Sequence, residues 1–169
     1  ACSIARSMPC TDLSLREPLA IVDAFTVHAS AAQLLAAIFN EHRNLCSKVK
    51  ERWVRATVNQ IEDSPLGPQG RHLGMLRCVL KCGGICIKRN QNMALKVLLE
   101  PHRRRTILMY NDVAGRAEVL RRLDAGEHNQ TQIGLLNYHL NLLRCLCICA
   151  EGKNAMAEAK CQAVQPLSD

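Results

Sequence analysis

The stretch RCLCICAEGKN, Arg144 to Asn154, sets Cys145, Cys147 and Cys149 at alternate positions ahead of a glycine and a lysine. Metal ligation is the first chemistry to test. Structural zinc wants ligands converging on a tetrahedron, usually through a C-x2-C knuckle. The chain has ten cysteines but no C-x2-C; its spacings are Cys78-x3-Cys82-x3-Cys86 and Cys145-x-Cys147-x-Cys149. On a helix turning ~100° per residue, Cys145 and Cys149 share a face while Cys147 points almost the opposite way, so the three cannot hold one ion. Free cysteine packs as a small hydrophobe. The cysteines therefore read as core thiols, with no metal and no cofactor.

A phosphate loop would need G-x-x-x-x-G-K-[ST] after a strand. AEGKN lacks the first glycine and the Ser/Thr, and a helical pattern precedes it. HRRRT, His102 to Thr106, is the densest basic cluster and could grip a phosphate or an acidic helix; the plainer reading is a solvated loop. His139 reads as a hydrogen-bonded core residue, with no nucleophile in a recognisable turn around it. Glu51, Glu62, Asp63 and Glu118 have no partner at a spacing suited to paired-carboxylate work. No catalytic, ligand-binding or metal residue is assigned, and the chain reads as a non-enzyme.

The elements that would position these residues are helical. Apolar residues make up 48% of the 169 but aromatics only 3%, so the core must be built from Leu, Val, Ile, Ala, Met and Cys, a palette suited to helices in a single domain. The net charge of +7 favours acidic partners, an acidic protein among them. Nucleic acid is not expected, because the basic residues are dispersed and bases have almost nothing to stack on. Cysteines inside apolar helical segments, with no leading basic-then-apolar segment, fit a reducing cytosol, and the Asn129-x-Thr131 sequon is then a chance match. The longest apolar run, Leu140 to Ala150, is broken by Asn141 and Arg144 and falls short of the ~20 residues that span a bilayer, so no transmembrane helix is expected. A first residue of Ala rather than Met suggests a fragment of a larger chain.

Periodicity predicts helices over Leu13 to Val27, with Pro18 near the first turn, and over Ser30 to His42. In SKVKERWVRATVNQIED, Ser47 is a candidate cap. Val49, Trp53, Val54, Thr57, Val58 and Ile61 fall on one face, and Lys48, Arg52, Arg55 and Asn59 on the other. Ser64 to Gly70 is a loop; RHLGMLRCVLKC is a helix stopping at Gly83-Gly84; KRNQNMALKVLLE is another, stopping before Pro101. RTILMYND is strand-like but isolated, hence an extended connection. Asp112 would cap VAGRAEVLRRL, where Val113, Ala117, Leu120 and Leu123 form a stripe. After the loop AGEHNQTQ, IGLLNYHLNLLRCLCICA is apolar on nearly every side and is expected to be the central helix. Gly152 should end it in the left-handed region, Lys153 stand near the freed carbonyls, and Asn154 cap AMAEAKC. LRCVLKCGG…KRNQNMALKVL and LRCLCICAEGKNAMAEAKC echo one another as helix, glycine break and second helix, the shape of stacked helical hairpins.

Taken in order, IFNEHRNLCSKVKERWV, KRNQNMAL, MYNDVAGRAEVL, LNYHLNLL, CAEGKNAMAEAKC and VQPLSD resemble the homology domain shared by inositol trisphosphate and ryanodine receptors, more nearly the former. The resemblance runs from about Leu19 to Asp169 and assigns 17–169 to an armadillo-like homology domain. Residues 1–16 form a poorly assigned amino-terminal segment. It implies an all-α, armadillo-like α-solenoid in the cytosolic part of a tetrameric calcium-release channel of the endoplasmic reticulum. Its partners would be neighbouring solenoid domains and subunits, and it would reach the membrane only through the full-length channel. The implied role is regulatory: a coupling segment that transmits ligand binding to the gate. No part of the chain matches the family's basic ligand cleft, so no ligand residue is implied. Alternatives are a ryanodine receptor segment, or a free-standing armadillo-type cytosolic scaffold binding acidic partners. A span cut from a solenoid would expose apolar end faces and is expected to self-associate.

Overall fold

The computed structural model of the protein describes residues 29–40, 42–63, 70–103, 107, 113–126 and 130–164. Of these, 82% are helical, which makes the chain all-α. The helices are α1 (Ala29–Asn40), α2 (Arg43–Ser47), α3 (Glu51–Glu62), α4 (Gly70–Leu80), α5 (Lys88–Leu98), α6 (Val113–Asp124), α7 (Gln130–Ala150) and α8 (Ala155–Val164). A two-stranded hairpin, β1 (Lys81–Cys82) and β2 (Ile85–Cys86), joins α4 to α5, and a 3-10 turn covers Pro101–Arg103. The expected Leu13 to Val27 helix, the Asp112 cap and most of the Ser64 to Gly70 loop lie outside the described residues; Gly70 itself opens α4.

The apolar face expected from Val49 to Ile61 is buried throughout, Val54, Val58 and Ile61 completely. Ser47 does not cap it. Ser47 ends α2 and donates its hydroxyl to Asn44 O, while the extended Lys50 stands at the start of α3 without a side-chain cap bond. The three residues between the two helices are needed to carry the buried Val49 into the core.

The hub of the core is α4. It packs against α1, α2, α3, α5 and α7, and buries Leu73, Leu76, Val79 and Leu80 completely. At ~100° per residue these large aliphatics fall on one broad face of α4, which is turned to the core. At its first residue α7 comes so close that a Cβ on Gly70 would stand 2.9 Å from Asn141 Nδ2. The helix stops at Leu80, before the glycines, and the glycines turn a hairpin instead. Lys81 pairs with Cys86 and Cys82 with Ile85. Gly83 and Gly84 both hold positive φ, as the two-residue hairpin turn of type I′ requires. This hairpin replaces the simple helix stop expected there. Of the run Arg105 to Asp112 only Ile107 is described; it is helical rather than extended, and fully buried.

The expected central position of Ile133 to Ala150 is not what α7 shows. One line, Tyr138, Leu142, Cys145, Leu146 and Cys149, is buried against α4, α5 and α8, while Ile133, Asn137, Leu140, Arg144 and Cys147 lie on an exposed line. The polar residues Asn137 and Arg144 mark this open side, and the apolar residues beside them lack a covering helix among the described residues. Ile133–Ala150 is nonetheless long and apolar enough, by length and composition, to cross a membrane (18 residues, mean hydropathy 1.4), so the expectation that no segment would qualify is corrected. The break at Arg144 does not interrupt the helix, because its backbone hydrogen bonds are internal.

Candidate functional site

Three segments that carry chemically versatile side chains meet at the corner where α7 turns into α8. Gly152 takes φ of +81°, and Lys153 follows it into the left-handed region at +57°. Only glycine fits the first position, since a Cβ there would stand 2.9 Å from Cys86 Cβ on the neighbouring hairpin. The carbonyls freed at the end of α7 are met by Gln91, whose Nε2 donates to Ile148 O at 2.8 Å and to Glu151 O at 3.2 Å. Lys153 does not serve them; its own carbonyl accepts from Lys88 Nζ at 3.1 Å. Asn154 offers its backbone carbonyl to the Ala157 and Glu158 amides. Its side chain is not spent on the next helix: Nδ2 donates to Gln91 Oε1 at 3.0 Å and Asn92 Oδ1 at 3.1 Å.

The adjacent Asn90, also fully buried, donates to Cys46 O at 2.7 Å and Val79 O at 2.8 Å, tying α5 to α2 and α4. Sequence reasoning passed over Asn90 and Gln91. The signal was present: Asn90 lies four residues before Ala94, and Gln91 four before Leu95, on the apolar stripe of their own helix, where an amide is tolerated only with partners waiting.

The basic cluster beginning at His102 divides. Arg103 is buried and belongs to an internal ion network, donating to Glu62, to Glu100 Oε2 at 2.9 Å and to Asn59 Oδ1 at 2.8 Å. It is therefore neither a solvated loop residue nor open to a phosphate. Arg104, Arg105 and Thr106 lie outside the described residues. Arg55 joins the same network through Glu100 and Glu51. The Arg103 and Arg55 guanidiniums hold the Glu100 carboxyl below its ordinary range, and Lys96 and then Arg55 do the same for Glu51. Glu118 is held at about 2 by Arg121 and Arg122. These carboxylates are all committed to cations, an arrangement suited to holding helices together and unsuited to moving protons.

Four of the described thiols, Cys46, Cys82, Cys145 and Cys149, are buried, in two groups. Cys46 Sγ donates to Phe39 O at 3.1 Å, and Cys82 Sγ to Asn40 O at 3.3 Å. Burial, with Cys82 close by, pushes Cys46 up to about 12. A hydrogen bond to Cys145 and burial raise Cys149, and burial pushes Cys161 up to about 11. Such thiols stay protonated at neutral pH and are poor nucleophiles and ligands. Cys147 is exposed, so the expectation that all three clustered cysteines pack in the core holds for Cys145 and Cys149 only. Among the described residues no three His, Cys, Asp or Glu side chains group to hold a metal. His139 is half-buried, and burial, then the Arg116 charge, lowers its pKa.

Beside the corner runs an open groove of about 1140 Å³ between α1, α4, the hairpin turn and the exposed line of α7. Leu140, Leu143 and Ile148 supply its apolar wall, and Arg77, Lys81 and Arg144 its cations. Lys81 is held by Glu151 at 2.5 Å. Arg77 and Arg144 have no ion pair among the described residues, and Arg77 Nε is buried without a hydrogen-bond partner. The arrangement sets a polar corner held by side-chain hydrogen bonds beside a basic, apolar-walled groove. No protein-family model matches the chain.

Proposed function

We propose that this chain is a regulatory coupling segment of an inositol trisphosphate receptor-type calcium-release channel: an armadillo-like span on the cytosolic side of the endoplasmic reticulum membrane. It acts by contact with neighbouring domains and subunits and performs no chemistry of its own. The observation that carries the reading joins sequence to geometry. Two of the motifs behind the resemblance, KRNQNMAL and CAEGKNAMAEAKC, meet through Gln91, Asn92 and Asn154, and lock the α4–α5 and α7–α8 hairpins into one body. A solenoid that relays a displacement needs such stiff joints, because a soft joint absorbs the motion it should pass on.

The test is a chimera in which this segment replaces the matching stretch of an inositol trisphosphate receptor expressed in cells lacking the native channel. Ligand-evoked calcium release is expected to survive, and Gln91→Leu in the chimera to weaken release while inositol trisphosphate binding stays intact. A chimera that assembles and binds ligand but never releases calcium overturns the reading. The complete reading frame gives an independent check, since a six-helix pore segment downstream is required. The groove favours a second reading, a free-standing cytosolic scaffold for acidic partners, which a complete frame without a pore segment would support.

A further inference from the structure

We infer that the groove between α1, α4 and the exposed line of α7 docks an acidic amphipathic helix from a partner protein. This goes beyond the channel reading and does not depend on it.

The shape argues for a polypeptide. At about 1140 Å³ and open to solvent, the groove is somewhat larger than the ~300–1,000 Å³ typical of small-ligand pockets. Its wall is built by residues on the outer side of α7: Leu140 is 43% exposed, and Leu143 and Ile148 are half-buried beside it. A small anion would leave that wall in water. Two or three aliphatic side chains from one face of a helix would cover it, the usual helix-in-groove mode.

The charge argues for acidic residues beside those anchors. The groove is lined by Arg77, Lys81 and Arg144 against the single carboxylate of Glu151, which Lys81 already neutralises. Arg77 and Arg144 have no ion pair among the described residues. Both guanidiniums line the groove, where a docked carboxylate can accept a charge-assisted hydrogen bond. A basic helix would meet two guanidiniums that have no ion pair among the described residues, and a neutral one would leave both charges uncompensated.

The experiment presents the full chain with a displayed library of random 16-residue peptides and measures the enriched sequences by fluorescence anisotropy. Enrichment should favour peptides with aliphatic residues at i, i+3 or i+4 and i+7, flanked by Asp and Glu. Arg144→Glu, at an exposed position where the circular dichroism should stay unchanged, should weaken their binding at least tenfold, and exchanging their Glu for Lys should abolish it. Cys147, in the same groove, should be protected from alkylation by a bound peptide. Enriched peptides without acidic bias, or equal binding by Arg144→Glu, overturn the inference. So does binding to phosphatidylserine vesicles that the peptides do not compete, which would make the surface a lipid site. Dimerisation lost in Arg144→Glu would overturn it too, by making a second copy the occupant.

Discussion

The α7–α8 corner and helix α6 show two opposite ways of keeping a helix in place. At the corner, three amides and a lysine reach across to backbone carbonyls and to one another, and Ala157 and Val164 of α8 are buried. In α6 no residue is buried. Its polar side chains pair within one turn of each other, Glu118 with Arg121 and Arg122, while Val113, Leu120 and Leu123 face outward. The first region is held by tertiary bonds and should respond to single substitutions; the second is supported locally and should not. An amide buried among carbonyls belongs to the fixed body of the molecule, whereas an apolar stripe facing solvent belongs to whatever the molecule touches.

Breaking the corner at its glycine should have the largest effect. Gly152→Val puts a β-branched residue at φ +81° and drives its Cβ into Cys86. Left-handed strain and overpacking together should cost on the order of 3 kcal/mol, read as a fall in thermal midpoint. An unchanged midpoint would mean that α7 does not end here. Gln91→Leu comes next. It keeps the volume but removes the Gln91 bonds to the Ile148 and Glu151 carbonyls and to the Asn154 amide, a loss of about 2 kcal/mol in denaturant titration. If the corner is the rigid joint described, hydrogen exchange at α8 should rise in the same variant while exchange in α6 stays as it was.

The ion network between α3, α5 and the 3-10 turn lies between these extremes, and pH probes it. Glu51 and Glu100 titrate lower in the folded protein than their ordinary value of 4.5, so the unfolded chain binds more protons as acid is added. Their stabilisation is complete above that range and is lost as pH falls through the folded values. The thermal midpoint should therefore drop below about pH 4.5. Glu100→Gln should make that acid limb shallower, and a limb of unchanged slope would remove Glu100 from the network.

Much of the fixed region was legible in the sequence. Val54, Val58 and Ile61 declare their face by spacing alone, and Gly152 announces the end of α7 because few other residues accept its backbone. What stayed hidden was set by distant partners. Gly83-Gly84 reads equally as a helix stop or a hairpin turn, and the choice follows from Cys82 and Cys86 having each other's neighbours to pair with. Arg103 looks like part of a solvated basic run until Glu62 arrives from α3 to join the nearby Glu100 in pairing with it. The nearly uniform apolar character of α7 concealed which side was open, because periodicity says little where almost every position is apolar. The groove was illegible for the same reason: it forms only once α1, α4, the hairpin and α7 stand around it.

The smallest effect on stability should come from α6, and it sharpens the contrast most. Leu120→Gln removes an outward-facing leucine, 61% exposed, and keeps a good helix former at the position. Since Leu120 covers nothing and is covered by nothing among the described residues, the thermal midpoint should move by no more than about 0.5 kcal/mol equivalent. The same change should reduce self-association at high concentration, measured by light scattering, because it interrupts the Val113, Leu120, Leu123 stripe at its middle. A large loss of stability would place α6 inside the core and erase the difference between the two regions. Unchanged scattering would show that the exposed stripe of α6 is not the face through which copies of the chain meet.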